Sequence, residues 1–325
     1  MLGSFLQGTL GTMHHASILT LPASAAPWPR PASPRRRTRR LSADALGVAS
    51  RQELLSRGYT DDKLARAVRS GRLTRPAPGW YANATATALV TRPLAIGHRL
   101  TCLDAAELHR LWTPYRDEEE RGVLHVYRPT GGVRVPKNVL RHASRTRSWI
   151  EPDPVASLPI ALEHSMHCLD GEDAAVLLES AMSLDLMSPA EVQNLVDAAP
   201  ASVRSGIGVL SSASESGSET RVARWLRRRG FEVEQQVFVE DVGYVDMYVG
   251  GLLLEIDGRD GHSGAEAFAK DRQRDLRTGR HGLQILRLSY EQVWQSWSDT
   301  KEAVLETIAS VGAFGRRRAE QLRAS

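Results

Sequence analysis

Asp246 and Glu255 stand on either side of a Gly250-Gly251 step, within Tyr244 to Val249 and Leu252 to Asp257, two runs that read as strands. A two-residue turn fixes the register of a hairpin, so Val249 pairs with Leu252 and Asp246 falls directly opposite Glu255. Opposed Cβ atoms on one sheet face lie ~4.5–5.5 Å apart, and two carboxylates at that spacing repel each other. Alternation adds Asp257 to the face of Glu255 and leaves Leu252, Leu254 and Ile256 on the other. Glu219 lies in line with Val222, Ala223 and Leu226, so a preceding helix carries a fourth acid along its buried stripe. Such a cluster needs a cation or shared protons, and oxygen-only ligands suit Mg²⁺ or Mn²⁺. A divalent ion held this way can bind a phosphate oxygen and activate water for attack on phosphorus. The contrary reading is that one or two of these acids are exposed edge charges.

The elements that must position these groups follow a readable order. A helix from Ser218 to Arg229 stops at Gly230, then come strands at Val233 to Val239, Tyr244 to Val249 and Leu252 to Asp257. A loop leads to a charged helix ending near Arg280, a strand from Leu283 to Leu288 and a last helix from Tyr290 to about Val311, giving αβββαβα. The charged helix carries Lys270, Arg272, Arg274, Arg277 and Arg280 around Asp271 and Asp275. It reads equally as a solvated face with internal ion pairs and as a phosphate-contacting face, with Arg274 and Arg287 nearest the acids. Trp225, Phe268, Trp294 and Trp297 read as core.

A second candidate lies near the other end of the chain. From Leu46, Val48, Leu54 and Leu55 recur at helical spacing before Gly58; Thr60 then offers an N-cap to a helix that closes at Gly71. Two extended pieces around Pro78-Gly79 follow, and two short helices with a small hairpin make a winged helix-turn-helix. In that fold the second helix enters the major groove, and Lys63, Arg66, Arg69, Arg72 and Arg75 supply cations to phosphates. Residues 50–82 hold seven basic and three acidic side chains, a net +4. A protein-binding winged helix is the alternative.

The whole chain of 325 residues is also net +4, but residues 1–43 hold six arginines and no acid, so the remainder is net −2. The basic winged segment therefore stands out against an acidic body. Composition, with 42% hydrophobic and 25% charged residues, excludes a wholly disordered or fibrous chain, and no apolar run approaches the ~20 residues that span a bilayer. Two cysteines, Cys102 and Cys168, make neither a disulfide framework nor a CxxC pair, and the cytoplasm is the expected compartment. His164, His167 and Cys168 are too few for a metal site and read as one packed or half-exposed helix face. The expected organisation is a disordered Arg-rich tail (1–43), the winged helix (44–92), a connecting α/β region rich in helices (93–205), a linker (206–218), the αβββαβα domain (219–313) and a basic tail (314–325). Leu124 to Tyr127 and Val133 to Val135 read as strands of the connecting region.

The run from Val48 to Tyr81 resembles the N-terminal domain of AbiEi-type antitoxins of abortive-infection systems, which implies DNA as a partner and a toxin or defence-system protein as another. Glu219, Tyr244-Val245-Asp246, Leu254-Glu255-Ile256-Asp257-Gly258, His262, Asp271 to Asp275 and Ile285-Leu286-Arg287 resemble the PD-(D/E)XK restriction-endonuclease-like superfamily, in its branch related to very-short-patch-repair endonucleases. That resemblance implies Asp246 and Glu255 as metal ligands, Glu219 as a supporting acid and His262 as a proton donor or acceptor; Asp257, on the face of Glu255, is a candidate third ligand and catalytic acid by strand alternation alone. One departure stands out: the superfamily motif ends in Lys where this chain has Asp257. The combined expectation is an α+β or α/β protein acting as a Mg²⁺- or Mn²⁺-dependent DNA endonuclease. The alternative is an antitoxin-like regulator whose nuclease fold is inactive.

Overall fold

The structure, a computed structural model, describes residues 40–127, 136–142, 153–240, 242–258 and 284–324, with side chains described up to residue 312. Among the described residues it is a mixed α and β protein with three small sheets, and it divides into two compact units. The larger draws on residues up to 225 and on 291–297; the smaller on 226–290 and 298–324. Among the described residues no helix is long and apolar enough to cross a membrane. The expected tail and the expected strand from Val133 to Val135 lie outside the described residues.

The larger unit opens with α1 (Ala43–Leu46), β1 (Val48–Ser50), α2 (Arg51–Ser56), α3 (Asp61–Arg69), β2 (Thr74–Ala77) and β3 (Trp80–Ala82). Val48 to Ser50 is a strand paired with β3, not the start of a helix as its spacing suggested. The cause is local: Gly47 turns left-handed after α1 with φ +67°, and Ser50 Oγ accepts from Glu53 N at 3.1 Å, so α2 starts only at Arg51. The three strands pair in the order β1-β3-β2. Leu54, Leu64 and Tyr81 pack between this sheet and its two helices.

Next come α4 (Ala88–Ala95), β4 (Arg99–Leu100), α5 (Cys102–Leu108), α6 (Glu118–Gly122), β5 (Leu124–Tyr127) and β6 (Val139–His142). The second sheet runs β4-β5-β6. One core joins both sheets: Leu46, Val48 and Trp80 pack in the same cluster as Leu94, Leu100, Val126 and Ala161. The Arg99 guanidinium lies 4.4 Å from the centre of the Trp80 ring, adding a cation–π contact at the join.

Helices α7 (Leu158–Ser165), α8 (Gly171–Ser183), α9 (Pro189–Ala198) and α10 (Ala201–Ile207) form a second core around Leu162, Leu177, Leu178 and Val203, and α11 (Gly217–Arg228) follows. The 206–218 stretch, expected as a linker, is held along its length. Ser211 N donates to Glu179 Oε1 at 3.1 Å, and a Cβ at Gly217 would meet the Trp112 and Val176 side chains. Arg224 of α11 is the tie: fully buried, it pairs with Glu179 of α8 at 2.9 Å and donates to the carbonyls of Val209 and Ile207. Trp225 and Trp297 meet edge to face at 5.2 Å, and Trp294 Nε1 donates to Ser218 Oγ at 2.8 Å, consistent with core roles.

The smaller unit holds β7 (Glu234–Val239), β8 (Gly243–Val249), β9 (Leu252–Ile256) and β10 (Gln284–Leu288), ordered β10-β9-β8-β7. β7, β8 and β9 are antiparallel in sequence, and β10 runs parallel to β9. The expected last helix is two: Tyr290–Trp294 and Trp297–Ala324. Gly250 and Gly251 have φ of +57° and +93°, which a two-residue hairpin turn of the mirror-image type demands. A Cβ at Gly250 would also lie 2.8 Å from Ile308 on the long helix, so size and backbone sign both select glycine.

Removing one partner of a buried ion pair strands the other charge. Arg224 keeps a longer pair to Glu172 at 3.3 Å, so Glu179→Ala is expected to destabilise the larger unit by about 1–3 kcal/mol in denaturant melts, whereas no measurable loss would show that Arg224 does not depend on it.

Candidate functional site

Helix α3 can bury only one stripe. Leu64 and Ala67 take it, which turns Lys63, Arg66 and Arg69 to solvent. Thr60 Oγ1 caps the helix by accepting from Lys63 N at 3.3 Å. Arg72 and Arg75, before and within β2, are exposed as well. Among the described residues none of these five cations pairs with a carboxylate; Lys63 Nζ reaches the Gly58 carbonyl at 3.4 Å, and Arg72 Nε donates to Ser70 Oγ at 3.2 Å.

Arg51 and Arg57, which weigh equally in the sequence charge, are spoken for. Arg51 pairs with Asp61 at 2.5 Å, and Arg57 pairs with Asp44 at 2.6 Å and Glu53 at 2.7 Å. The Arg51 hydrogen bond holds the Asp61 carboxyl below its ordinary range. Beside the free cations lies a shallow cleft of about 560 Å³ lined by Tyr59, Lys63, Arg66, Ala67, Arg72 and Leu73. Exposed cations on one helix face, with an aromatic ring at its start, can bind a polyanionic backbone.

The carboxylates of the C-terminal sheet meet a different environment. β8 and β9 adopt the register fixed by the glycine turn, with Val249, Tyr248 and Met247 opposite Leu252, Leu253 and Leu254. Asp246 Oδ2 accepts from Ile256 N at 2.7 Å, a side-chain oxygen where a strand carbonyl would serve. Glu255 is buried, and its Oε2 accepts from Arg287 Nε at 2.8 Å; the parallel register sets Arg287 beside it on β10. The repulsion expected between these acids is thus offset by a guanidinium and a peptide N–H. Asp257 is exposed, its own N–H donating to Leu288 O at 2.9 Å.

Glu219 is buried in line with Val222, Ala223 and Leu226 as expected, but it serves the start of α11. Its Oε2 accepts from Glu215 N at 2.8 Å while its N–H donates to Ser216 Oγ at 3.1 Å. His262, Lys270 and Arg274 lie outside the described residues. The structure therefore gathers Asp246, Glu255 and Arg287, with Arg287 Nε paired to Glu255.

One constellation escaped the sequence reading. Cys168 is joined not by His164 and His167 but by Cys102, His125 and His142, and the four ligating atoms all lie within 4.8 Å of one another. The residues come from the start of α5, from β5, from β6 and from the turn after α7, so no local spacing announces them. Burial pushes the Cys102 thiol well up, whereas its hydrogen bond to Cys168, helped by His125 and His142, pulls Cys168 down to about 3.

If Arg287 offsets the Glu255 charge, the two are energetically coupled. A double-mutant cycle of Glu255→Gln and Arg287→Ala is expected to give a coupling of about 1–3 kcal/mol in denaturant melts, and additive losses would show that the pair is incidental.

No curated protein matches the chain. The model of the family described as "Transcriptional regulator, AbiEi antitoxin" matches residues 36–84, the segment that carries α1 to α3, the three-stranded sheet and the five free cations.

Proposed function

We propose that this chain is a DNA-binding transcriptional regulator of the antitoxin type. In this reading residues 44–92 form a winged helix, α3 enters the major groove and the β2–β3 hairpin lies along the backbone. The observation that carries it is the set of five exposed cations without carboxylate partners among the described residues, Lys63, Arg66, Arg69, Arg72 and Arg75, inside the segment that matches the antitoxin family. A duplex phosphate backbone is the ligand such a face suits, and release of condensed counterions supplies the driving force. A toxin is the second partner that the family description implies, and the acidic remainder of the chain, net −2 outside the first 43 residues, leaves room for a basic one.

The C-terminal sheet serves as scaffold or partner surface on this reading. A resident Mg²⁺ would draw on Asp246, Glu255 and Asp257, but Arg287 already supplies the charge that the ion would bring to Glu255. With Glu255 paired to Arg287 and Asp246 accepting a peptide N–H, this reading assigns the sheet no metal ion. Duplex DNA incubated with the full chain and Mg²⁺ or Mn²⁺ should stay intact; cleavage that Asp246→Ala or Glu255→Ala abolishes would restore the endonuclease reading.

Fluorescence anisotropy with duplex DNA from the chain's own upstream region tests the proposal. Arg66→Ala with Arg69→Ala should weaken binding about tenfold or more at a fixed salt concentration, while Arg51→Ala, whose cation is already paired with Asp61, should change it far less. Equal effects of the two substitutions would remove α3 as the docking element.

A further inference from the structure

We infer that Cys102, His125, His142 and Cys168 form a structural zinc site in the larger unit. The four ligating atoms lie within 4.8 Å of one another, and the three edges among His125, His142 and Cys168 match one face of a small tetrahedron, with Cys102 Sγ within 4.8 Å of each corner. His125 Nδ1 and His142 Nε2 are 3.2 Å apart, Cys168 Sγ lies 3.6 Å from His142 Nε2 and 3.7 Å from His125 Nδ1. Zn–N bonds of about 2.0–2.1 Å and Zn–S bonds of about 2.3 Å, at tetrahedral angles, require N···N edges of about 3.3 Å and N···S edges of about 3.5–3.6 Å. The observed polyhedron therefore has room for one ion at its centre.

Two sulfurs and two imidazole nitrogens select Zn²⁺ over Mg²⁺ or Ca²⁺, which prefer oxygen. Because the protein fills all four positions, the site is closed and structural, not catalytic.

The surroundings support ligands held in place. His164 is buried, stacks on His142 with centroids 5.2 Å apart, and its Nδ1 is 2.7 Å from Thr101 Oγ1, so the residue before Cys102 is tied to the ring behind His142. Asp104 Oδ2 accepts from His125 N at 2.8 Å, and Arg116 pairs with Asp104 at 2.8 Å, fixing α5 against β5. These contacts fix the backbone that carries Cys102 and His125 and the ring stacked on His142. Cys102 itself has φ +57°, a left-handed conformation that a non-glycine residue holds only when its surroundings impose it. An ion here would tie α5, β5, β6 and the turn after α7 together at one point.

The test uses the purified full chain from cells grown with zinc. Metal analysis should find about one zinc per chain, and mercurial modification of the thiols should release it. Replacement by Co²⁺ should give the visible ligand-field and thiolate charge-transfer absorption of a tetrahedral S₂N₂ site. Cys168→Ser and His142→Ala should each lower the zinc content to below about a tenth of an equivalent, and chelation of the parent should lower its melting temperature. The parent measurements stand alone if a variant fails to fold. A parent with less than about a tenth of an equivalent of zinc that binds no added zinc would overturn the proposal, as would a Cys102–Cys168 disulfide in freshly purified protein or an octahedral Co²⁺ spectrum.

Discussion

A nine-residue helix can satisfy only one apolar demand, and in α3 that demand decides which way the charges face. Leu64, with no exposed surface, packs against the sheet with Leu54 and Tyr81, and Ala67 is buried on the same stripe. Burying a leucine is worth about 1.5–3 kcal/mol, which exceeds any contribution of a surface ion pair, so packing sets the helix phase and the cations follow. Lys63, Arg66 and Arg69 are left on the outer side. The sheet beneath is in turn anchored by Trp80, which shares a core with Leu94, Leu100 and Val126 and carries the Arg99 guanidinium on its ring. The basic face is thus presented by a rigid support, which lowers the entropic cost of docking.

Charge in the C-terminal sheet is managed in the opposite way. On α3 the cations are left without carboxylates, whereas Glu255 receives the Arg287 guanidinium and Asp246 a peptide N–H. A face of unpaired cations suits an external polyelectrolyte, whereas an acid paired with a guanidinium carries less net charge to a partner. That contrast supports the proposed DNA-binding role of the N-terminal segment. The PD-(D/E)XK resemblance concerns residue types and element order, and the proposed reading turns on how the acids are paired.

Local features were legible in the sequence and long-range ones were not. The Gly250-Gly251 turn fixed the β8–β9 register because two positive φ angles leave one hairpin geometry. Helix α3 and its cap could be read from Thr60, Leu64 and Gly71. Val48 misled, since its spacing from Leu54 and Leu55 is helical although pairing with Ala82 makes it a strand. The Glu255–Arg287 pair could not be inferred, because 32 residues separate the partners and only the parallel register of β10 brings them together. The same holds for Cys102, His125, His142 and Cys168, which no local motif connects. Glu219 shows a subtler limit: its stripe was correct, but Ser216 three residues earlier makes it a helix-start acceptor, as in a capping box.

The salt dependence of duplex DNA binding by the unmodified full chain tests the central claim most directly. If Lys63, Arg66, Arg69, Arg72 and Arg75 each meet a phosphate, the logarithm of the association constant should fall against the logarithm of salt concentration with a slope of about −4 to −5. A slope near zero, or no binding of duplex DNA at low salt, would contradict the account.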